Sequence, residues 1–299
     1  MGLIAIKPVM AICVACTVWG LSGIYYYQLS HISALEVLAH RSLWALVFFS
    51  GFLLYKGQLV RLIKSFMSIR ELALHSASTL LICVNWFSFI FALQSGQAVQ
   101  ASFGYYIFPL VAVLFGFLFK GERFSKIQSL AILCAGISVV SLGFAMRLMP
   151  SIALIIAITF GAYGLIKGLT KLGSIESVTI ETMLIAPFSL SFIIYSFFQD
   201  YYRSVDVTGS FEFLNYDLLL LMLSGLITGG PLILFSFATK KLSYATVGIL
   251  QYINPTLQFL VAIFILVEPV NSWHSLALGF IWVGIVVYSG ESWRLESRR

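Results

Sequence analysis

The sequence predicts an all-α polytopic membrane protein with ten transmembrane helices, arranged as two inverted five-helix repeats with both termini in the cytoplasm. Three observations lead to this fold class: the composition, the spacing of the apolar runs and an internal repeat. Of the 299 residues, 60% are hydrophobic and 10% are charged, with a mean hydropathy of +0.97, whereas an ordinary soluble domain carries about 25% charged residues. Because so few charges would not coat a soluble globule of this size, lipid is the expected solvent.

Ten apolar segments are long enough to cross a bilayer, because a helix needs about 20 residues to span the ~30 Å hydrocarbon core. In chain order they cover residues 8–29, 34–55, 71–93, 98–118, 125–145, 151–169, 175–198, 215–238, 243–267 and 272–293. Most connections are short, and only those near 56–70 and 199–214 are long. No soluble domain is therefore expected between the helices.

The basic residues test this count, since cytoplasmic loops are enriched in Lys and Arg. With both termini in the cytoplasm, fifteen of the eighteen Lys and Arg residues lie on the cytoplasmic side. Arg147 and Arg203 lie on the other side, and Arg41 lies within a predicted segment. The charge distribution therefore favours an even number of passes with both ends inside.

An internal repeat appears when the chain is shifted by 146 residues. Phe91–Ala131 then aligns with Phe237–Ala277 without a gap, and ten of the 41 aligned positions are identical, among them the pair Pro109 and Pro255. We therefore predict a first repeat over residues 1–148 and a second over 149–299, within one integral membrane domain. Because five is odd, the second repeat enters the membrane inverted, which is typical of secondary transporters.

These features favour a secondary transporter that moves a small solute by alternating access. The alternatives are a non-transporting assembly or sensor protein and a membrane enzyme. An enzyme is disfavoured because the sequence contains no H-E-x-x-H, G-x-S-x-G or P-loop motif, so we expect no catalytic residue, no metal and no cofactor. The basic residues form short dispersed clusters, which disfavours nucleic-acid binding. The expected partners are a small-molecule substrate and the lipid bilayer, and a homodimer is left open.

A polar cavity is expected near the middle of the membrane. Pro109 and Pro255 are expected to break the fourth and ninth helices and to free backbone carbonyls, which are tolerated at that depth only against protein or a wet cavity. A simple packing kink is the alternative for the prolines, and helix–helix packing is the alternative for the Asn-Trp pair of the third segment. The predicted substrate-binding residues are Trp19, His40, Arg41, Asn85, Trp86, Tyr105, Tyr106, Gln251 and Tyr252.

Ionisable residues within membrane spans are costly and point to function. Glu36, Lys167 and Glu181 are predicted to have gating or ion-coupling roles, with Lys167 next to Glu181 near the inner end of the sixth helix. The alternative for Glu36 is a structural role at a helix start, where acidic side chains are favoured. The alternative for Arg41 is snorkelling to the membrane interface, but its depth favours a partner or water. Proton coupling would use His40 or Glu181, because their charges can change.

Several motifs resemble one known family: ISALEVLAHRSLW at 32–44, Asn-Trp at 85–86, ASFGYYIFPL at 101–110 and QYINPT at 251–256. In these motifs and in its five-plus-five helices, the chain resembles the RarD branch of the EamA family, in the drug/metabolite transporter superfamily. The resemblance implies a multi-pass permease of the bacterial inner (plasma) membrane, with small metabolites or drugs as cargo and export as the usual direction. One departure is Phe108, where relatives tend to have asparagine, which makes the expected cavity wall more apolar.

Overall fold

A computed structural model of the protein describes residues 3–58, 62, 68–120, 126–146, 150–204, 216–239, 241 and 250–296. All regular secondary structure in these ranges is helical. The helices are α1 (Leu3–Gln28), α2 (Ala34–Tyr55), α3 (Ile69–Gln94), α4 (Ala98–Lys120), α5 (Lys126–Met146), α6 (Ser151–Lys167), α7 (Ser174–Ser204), α8 (Tyr216–Thr239), α9 (Ile253–Phe264) and α10 (Ser272–Glu296).

The surface of the helix bundle is apolar. Five described helices, α1, α2, α3, α7 and α8, contain a stretch long and apolar enough to cross a membrane. Large hydrophobic side chains such as Met10, Val47, Leu80 and Phe188 are exposed on the outside of the bundle. Such a surface would aggregate in water but is stable in contact with lipid chains. The protein is therefore a multi-pass membrane protein built from helices.

The helices agree closely with the predicted apolar segments, and the main differences occur at three ends. The first helix begins at Leu3, five residues before the predicted start, and α7 extends to Ser204. The ninth segment differs most: a turn at Tyr252 precedes α9, which ends at Phe264, whereas residues 242–249 lie outside the described part of the chain. Within its described portion, the predicted segment 243–267 is thus interrupted by a turn close to Pro255, where the sequence predicts a break.

Nearly all contacts between the first five helices and the last five occur in matched pairs. The contact of α1 with α8 has its counterpart in α6 with α3, and the contact of α1 with α9 has its counterpart in α6 with α4. Likewise α2 packs on α8 as α7 packs on α3, while α2 meets α7, α4 meets α9 and α5 meets α10. Exchanging helix n with helix n + 5 therefore leaves this set of contacts unchanged.

Glycines allow two of these pairs to approach closely. A Cβ atom on Gly225 of α8 would overlap the backbone carbonyl carbon of Trp44 in α2. A Cβ atom on Gly104 of α4 would lie 2.9 Å from the backbone oxygen of Ala153 in α6. Since a backbone cannot yield as a flexible side chain does, both contacts depend on the absence of a side chain, as is common between membrane helices.

A carboxylate ties the loop after α9 to the start of α4. The two oxygens of Glu268 accept hydrogen bonds from the backbone N–H groups of Ala98 and Val99, at 2.5 and 2.8 Å. The first amides of a helix have no partner within it, and the N-terminal end of the helix dipole favours negative charge. Glu268 therefore caps α4 and connects the two halves of the chain.

Candidate functional site

A cavity of about 160 Å³ lies in the centre of the bundle. Its described lining comes from α1, α2, α3 and α4 of the first half, and from α6, α7, α8, α9 and the turn before α9 in the second half. Nine of the described lining residues are aromatic: Trp19, Tyr26, Trp86, Phe89, Tyr105, Phe108, Phe160, Tyr163 and Tyr252. Hydroxyl and amide groups interrupt this surface at Ser22, Thr228, Gln251, Asn254 and Gln258. The site thus combines flat apolar walls with a few polar groups, as is usual for small-molecule sites.

Arg41 provides the charge at this cavity. Arg41 is only 7% exposed. Its guanidinium carbon lies 4.3 Å from the ring centroid of Trp86 and 5.4 Å from that of Tyr26. Desolvated cation–π contacts of this kind contribute about 2 kcal/mol. The Nε and Nη1 donors have no hydrogen-bond partner among the described residues, which costs about 1–3 kcal/mol for each buried group.

The structure brings six of the nine predicted substrate-binding residues to the cavity. These six are Trp19, Arg41, Trp86, Tyr105, Gln251 and Tyr252. The other three, His40, Asn85 and Tyr106, are not part of the described lining. Tyr106 is instead 1% exposed and donates a hydrogen bond of 2.8 Å to the hydroxyl of Thr256, so it joins α4 to α9.

Asn85 holds three helices together behind the wall of the cavity. Its Nδ2 donates to the backbone oxygen of Ile156 at 3.0 Å and to the hydroxyl of Thr159 at 3.1 Å. Its Oδ1 accepts a hydrogen bond of 3.0 Å from Tyr105. The side chain is fully buried, and its amide is occupied between α3, α4 and α6. This geometry favours the helix–helix alternative for Asn85, while Trp86 lies in the cavity wall.

A second group of polar side chains surrounds Glu181 on α7. The carboxylate accepts hydrogen bonds from Lys167 Nζ at 2.8 Å, from the hydroxyl of Ser78 at 2.5 Å and from the hydroxyl of Tyr163 at 3.0 Å. Glu181 is 3% exposed, and His75 Nδ1 lies 3.9 Å from the same carboxylate. The contact predicted between Lys167 and Glu181 is therefore present, within a wider network on α3, α6 and α7.

Tyr163 connects this network to the cavity. Its hydroxyl donates to Glu181, while its ring stacks on Phe160 at 5.9 Å and both residues line the cavity. A change in the charge or position of Glu181 would therefore act directly on a residue of the cavity wall. Arg41 and Glu181 form no ion pair with each other in this structure, and the carboxylate is instead paired with Lys167.

Glu36 lies in a different environment from these buried groups. It is partly exposed in the first turn of α2, and its backbone N–H donates to the hydroxyl of Ser33, the residue that caps this helix. An acidic side chain in a first turn is favoured by the helix dipole. The geometry therefore favours the structural alternative for Glu36.

The two predicted helix breaks differ in the structure. Pro255 is the third residue of α9, just after the turn at Tyr252, and it lines the cavity. At position 109, by contrast, α4 continues to Lys120, so Pro109 does not end this helix. The side chain of Pro109 lies outside the described part of the chain.

Sequence reasoning missed several residues of both sites. Tyr26 lies seven residues after Trp19, and this two-turn spacing could have placed it on the same face of α1. Glu71 and His75 were missed because they lie near the start of α3, where polar side chains are common. Their i, i+4 spacing was nevertheless a signal, and their side chains approach within 3.8 Å.

Comparisons with known proteins agree with this architecture. Residues 6–144 match the EamA-like transporter family. The chain is 35% identical to the uncharacterized transporter YojE of Bacillus subtilis, with 98% of this chain and 97% of YojE covered. It is 31% identical to the protein RarD of Escherichia coli, with 91% and 90% covered. A crystal structure that is 17% identical superposes with a TM-score of 0.61 over 98% of this chain and 99% of the other, which supports the fold alone. The chain therefore belongs to the EamA-like transporter family, in the branch that contains the RarD proteins, and is a membrane transporter.

Proposed function

We propose that the protein is a secondary transporter that moves a small metabolite or drug-like solute across the bacterial inner membrane by alternating access, with export as its direction. The observation that carries this proposal is the central cavity of about 160 Å³, lined by α1–α4 and by α6–α9 with the turn before it. Because the cavity lies between the two halves of the chain, moving one half against the other would change the side from which it is accessible.

The proposal includes ten membrane passes, with both termini in the cytoplasm and inverted repeats over residues 1–148 and 149–299. The matched helix contacts support this arrangement, because an internal two-fold axis would produce such pairs. The excess of Lys and Arg on one side of the predicted topology also supports it. Fusions test the topology: green fluorescent protein after residue 299 should fluoresce, and alkaline phosphatase after residue 148 should be active. The opposite result for either fusion would overturn the arrangement.

Transport is tested with proteoliposomes that contain the purified protein. They are loaded with a mixed pool of metabolites and drugs, and mass spectrometry follows which compounds leave, with and without an imposed pH gradient. Selective loss of one class of compound is the expected result, and its dependence on the gradient would show proton coupling. If folded protein released nothing from a broad pool, a non-transporting assembly or sensor role would replace transport.

A pair of variants connects the flux to the cavity. Ser22 lines the cavity and Ser76 is exposed on α3, so Ser22→Trp fills the cavity while Ser76→Trp adds the same side chain to the outer surface. We expect the first variant to lose flux and the second to retain it, with both proteins monodisperse in detergent. Equal flux in the two variants would show that the solute takes another route.

The homodimer stays a prediction, and light scattering of the detergent-solubilised protein would measure its mass.

A further inference from the structure

The charge of Arg41 at the cavity has no counter-charge on the described part of the cavity wall. Among the described lining residues, Arg41 is the one with a full charge, and its Nε and Nη1 reach no acceptor in the described part of the protein. The aromatic rings of Trp86 and Tyr26 make cation–π contacts with the guanidinium. They provide no acceptor for its N–H groups, which point outward in the guanidinium plane. Because arginine stays protonated in proteins, this charge cannot be removed by titration.

The buried carboxylate of Glu181 does not act as the counter-charge of Arg41. Glu181 is on α7, which packs against the helix that carries Arg41. Its oxygens are bound by Lys167, Ser78 and Tyr163. The described residues therefore supply no acceptor for the Nε and Nη1 of Arg41, and a solute in the cavity that its side chain lines would supply one.

The cavity also contains an unpaired acceptor. Gln258 is 7% exposed, and its Nε2 donates to Asn254 Oδ1 at 3.1 Å, while its Oε1 has no partner among the described residues. A solute that satisfies both sites would carry an anionic acceptor for Arg41 and a hydrogen-bond donor for Gln258. The walls between polar groups are aromatic, which favours a flat apolar body.

We infer that the solute is a small organic carboxylate with a flat apolar body that also carries a hydrogen-bond donor. Arg41 binds the carboxylate, and Gln258 accepts a hydrogen bond from the donor. The planar guanidinium suits a carboxylate better than a neutral carbonyl, because charge-assisted hydrogen bonds are about twice as strong as neutral ones. This inference rests on the proposed transport function and assigns the class of its substrate.

Three small probes of similar shape test it: 4-hydroxybenzoate, its neutral analogue 4-hydroxybenzamide, and benzoate, which lacks the donor. Binding to the purified protein is measured from the rise in unfolding temperature as probe is added. We expect the wild type to bind 4-hydroxybenzoate about tenfold or more tightly than the amide, as charged hydrogen bonds allow. We also expect it to bind benzoate several-fold more weakly than 4-hydroxybenzoate.

Variants assign these preferences to residues. Arg41→Gln should abolish the preference for the acid over the amide, and Arg41→Lys should keep part of it. Gln258→Leu should remove the preference for 4-hydroxybenzoate over benzoate. Arg70→Gln is the matched control, because Arg70 is exposed at the start of α3, and it should bind all three probes as the wild type does.

Several outcomes would overturn the inference. One such outcome is that the wild type binds 4-hydroxybenzoate and 4-hydroxybenzamide equally well, and another is that it binds neither. Both outcomes can be observed even if Arg41→Gln fails to fold. Undiminished acid binding by folded Arg41→Gln would also refute it. Proteoliposome flux separates this inference from the proposed function: if neutral solutes cross and carboxylates do not, transport stands and the carboxylate assignment falls. If no class of solute crosses, the transport proposal itself fails.

Discussion

The pair Lys167–Glu181 offers a quantitative test of the buried network. Lys167→Met would leave the carboxylate of Glu181, 3% exposed, with the hydroxyl donors of Ser78 and Tyr163 and with His75 Nδ1 3.9 Å away. Removing one partner of a buried ion pair typically costs about 3–5 kcal/mol, because the other charge stays buried and uncompensated. The ion-pair distance of 2.8 Å between Nζ and Oε1 places this contact among the short charge-assisted hydrogen bonds.

The converse change should cost less. After Glu181→Gln, the ammonium of Lys167 would lack its carboxylate, but its side chain is 19% exposed and can reach water. We therefore expect a loss of about 1–3 kcal/mol, the contribution of a hydrogen bond to a charged group. In the double variant, Lys167→Met with Glu181→Gln, no charge is left unpaired, so the loss should be smaller than the sum of the two single losses by at least about 1.5 kcal/mol.

The assay is equilibrium unfolding in mixed micelles of a mild detergent and sodium dodecyl sulfate, followed by circular dichroism. Lys126→Met is the control, because Lys126 is exposed at the start of α5, and its free energy of unfolding should change by no more than about 0.5 kcal/mol. Losses that add within about 0.5 kcal/mol would show that the two side chains do not interact. That result would refute the ion pair and the network built around it.

Three further changes probe the packing of the helices. Gly225→Ala should lower the free energy of unfolding by about 1–3 kcal/mol through overpacking against α2, whereas Gly51→Ala, with nothing within 4 Å of its new Cβ, should be neutral or stabilising; equal effects would contradict the close contact. Asn85→Ala should cost about 1–3 kcal/mol by leaving buried partners unpaired, and an unchanged unfolding curve would exclude the bridge. Glu268→Gln should cost up to about 1 kcal/mol at the start of α4, and increased stability would argue against the cap.

Sequence alone could predict most of the helices, because the thickness of the bilayer sets the length of an apolar run. Nine predicted segments correspond closely to described helices, including α2 from Ala34 to Tyr55. The ninth segment was the exception in its bounds, because hydropathy alone does not register a turn; Pro255 indicated an interruption, and the structure has a turn at Tyr252, three residues earlier. The inverted repeat, also inferred from the sequence, stays a prediction, and the helix contacts occur in the matched pairs that such a repeat would produce.

The site was less predictable than the fold. Intramembrane charge and depth indicated Arg41, and the spacing of polar residues indicated Lys167 and Glu181. Which face of each helix points inward could not be read in the same way, because a membrane helix is apolar on both its lipid side and its packed side. For that reason both Asn85 and Trp86 were predicted to bind substrate. In the structure, the side chain of Asn85 lies between helices, whereas that of Trp86 lines the cavity.

The unbalanced guanidinium in the cavity has an electrical consequence. Lys167 and Glu181 neutralise each other, but the charge of Arg41 has no such neighbour among the described residues. Moving one elementary charge across the whole membrane potential involves about 2.3 kcal/mol per 100 mV. A rearrangement that shifts Arg41 through part of this field would therefore depend on voltage when the carrier is empty. Once the carboxylate of a bound solute cancels that charge, the rearrangement of the loaded transporter would depend much less on voltage. Voltage would therefore act on the return of the empty transporter rather than on the step that carries the solute across.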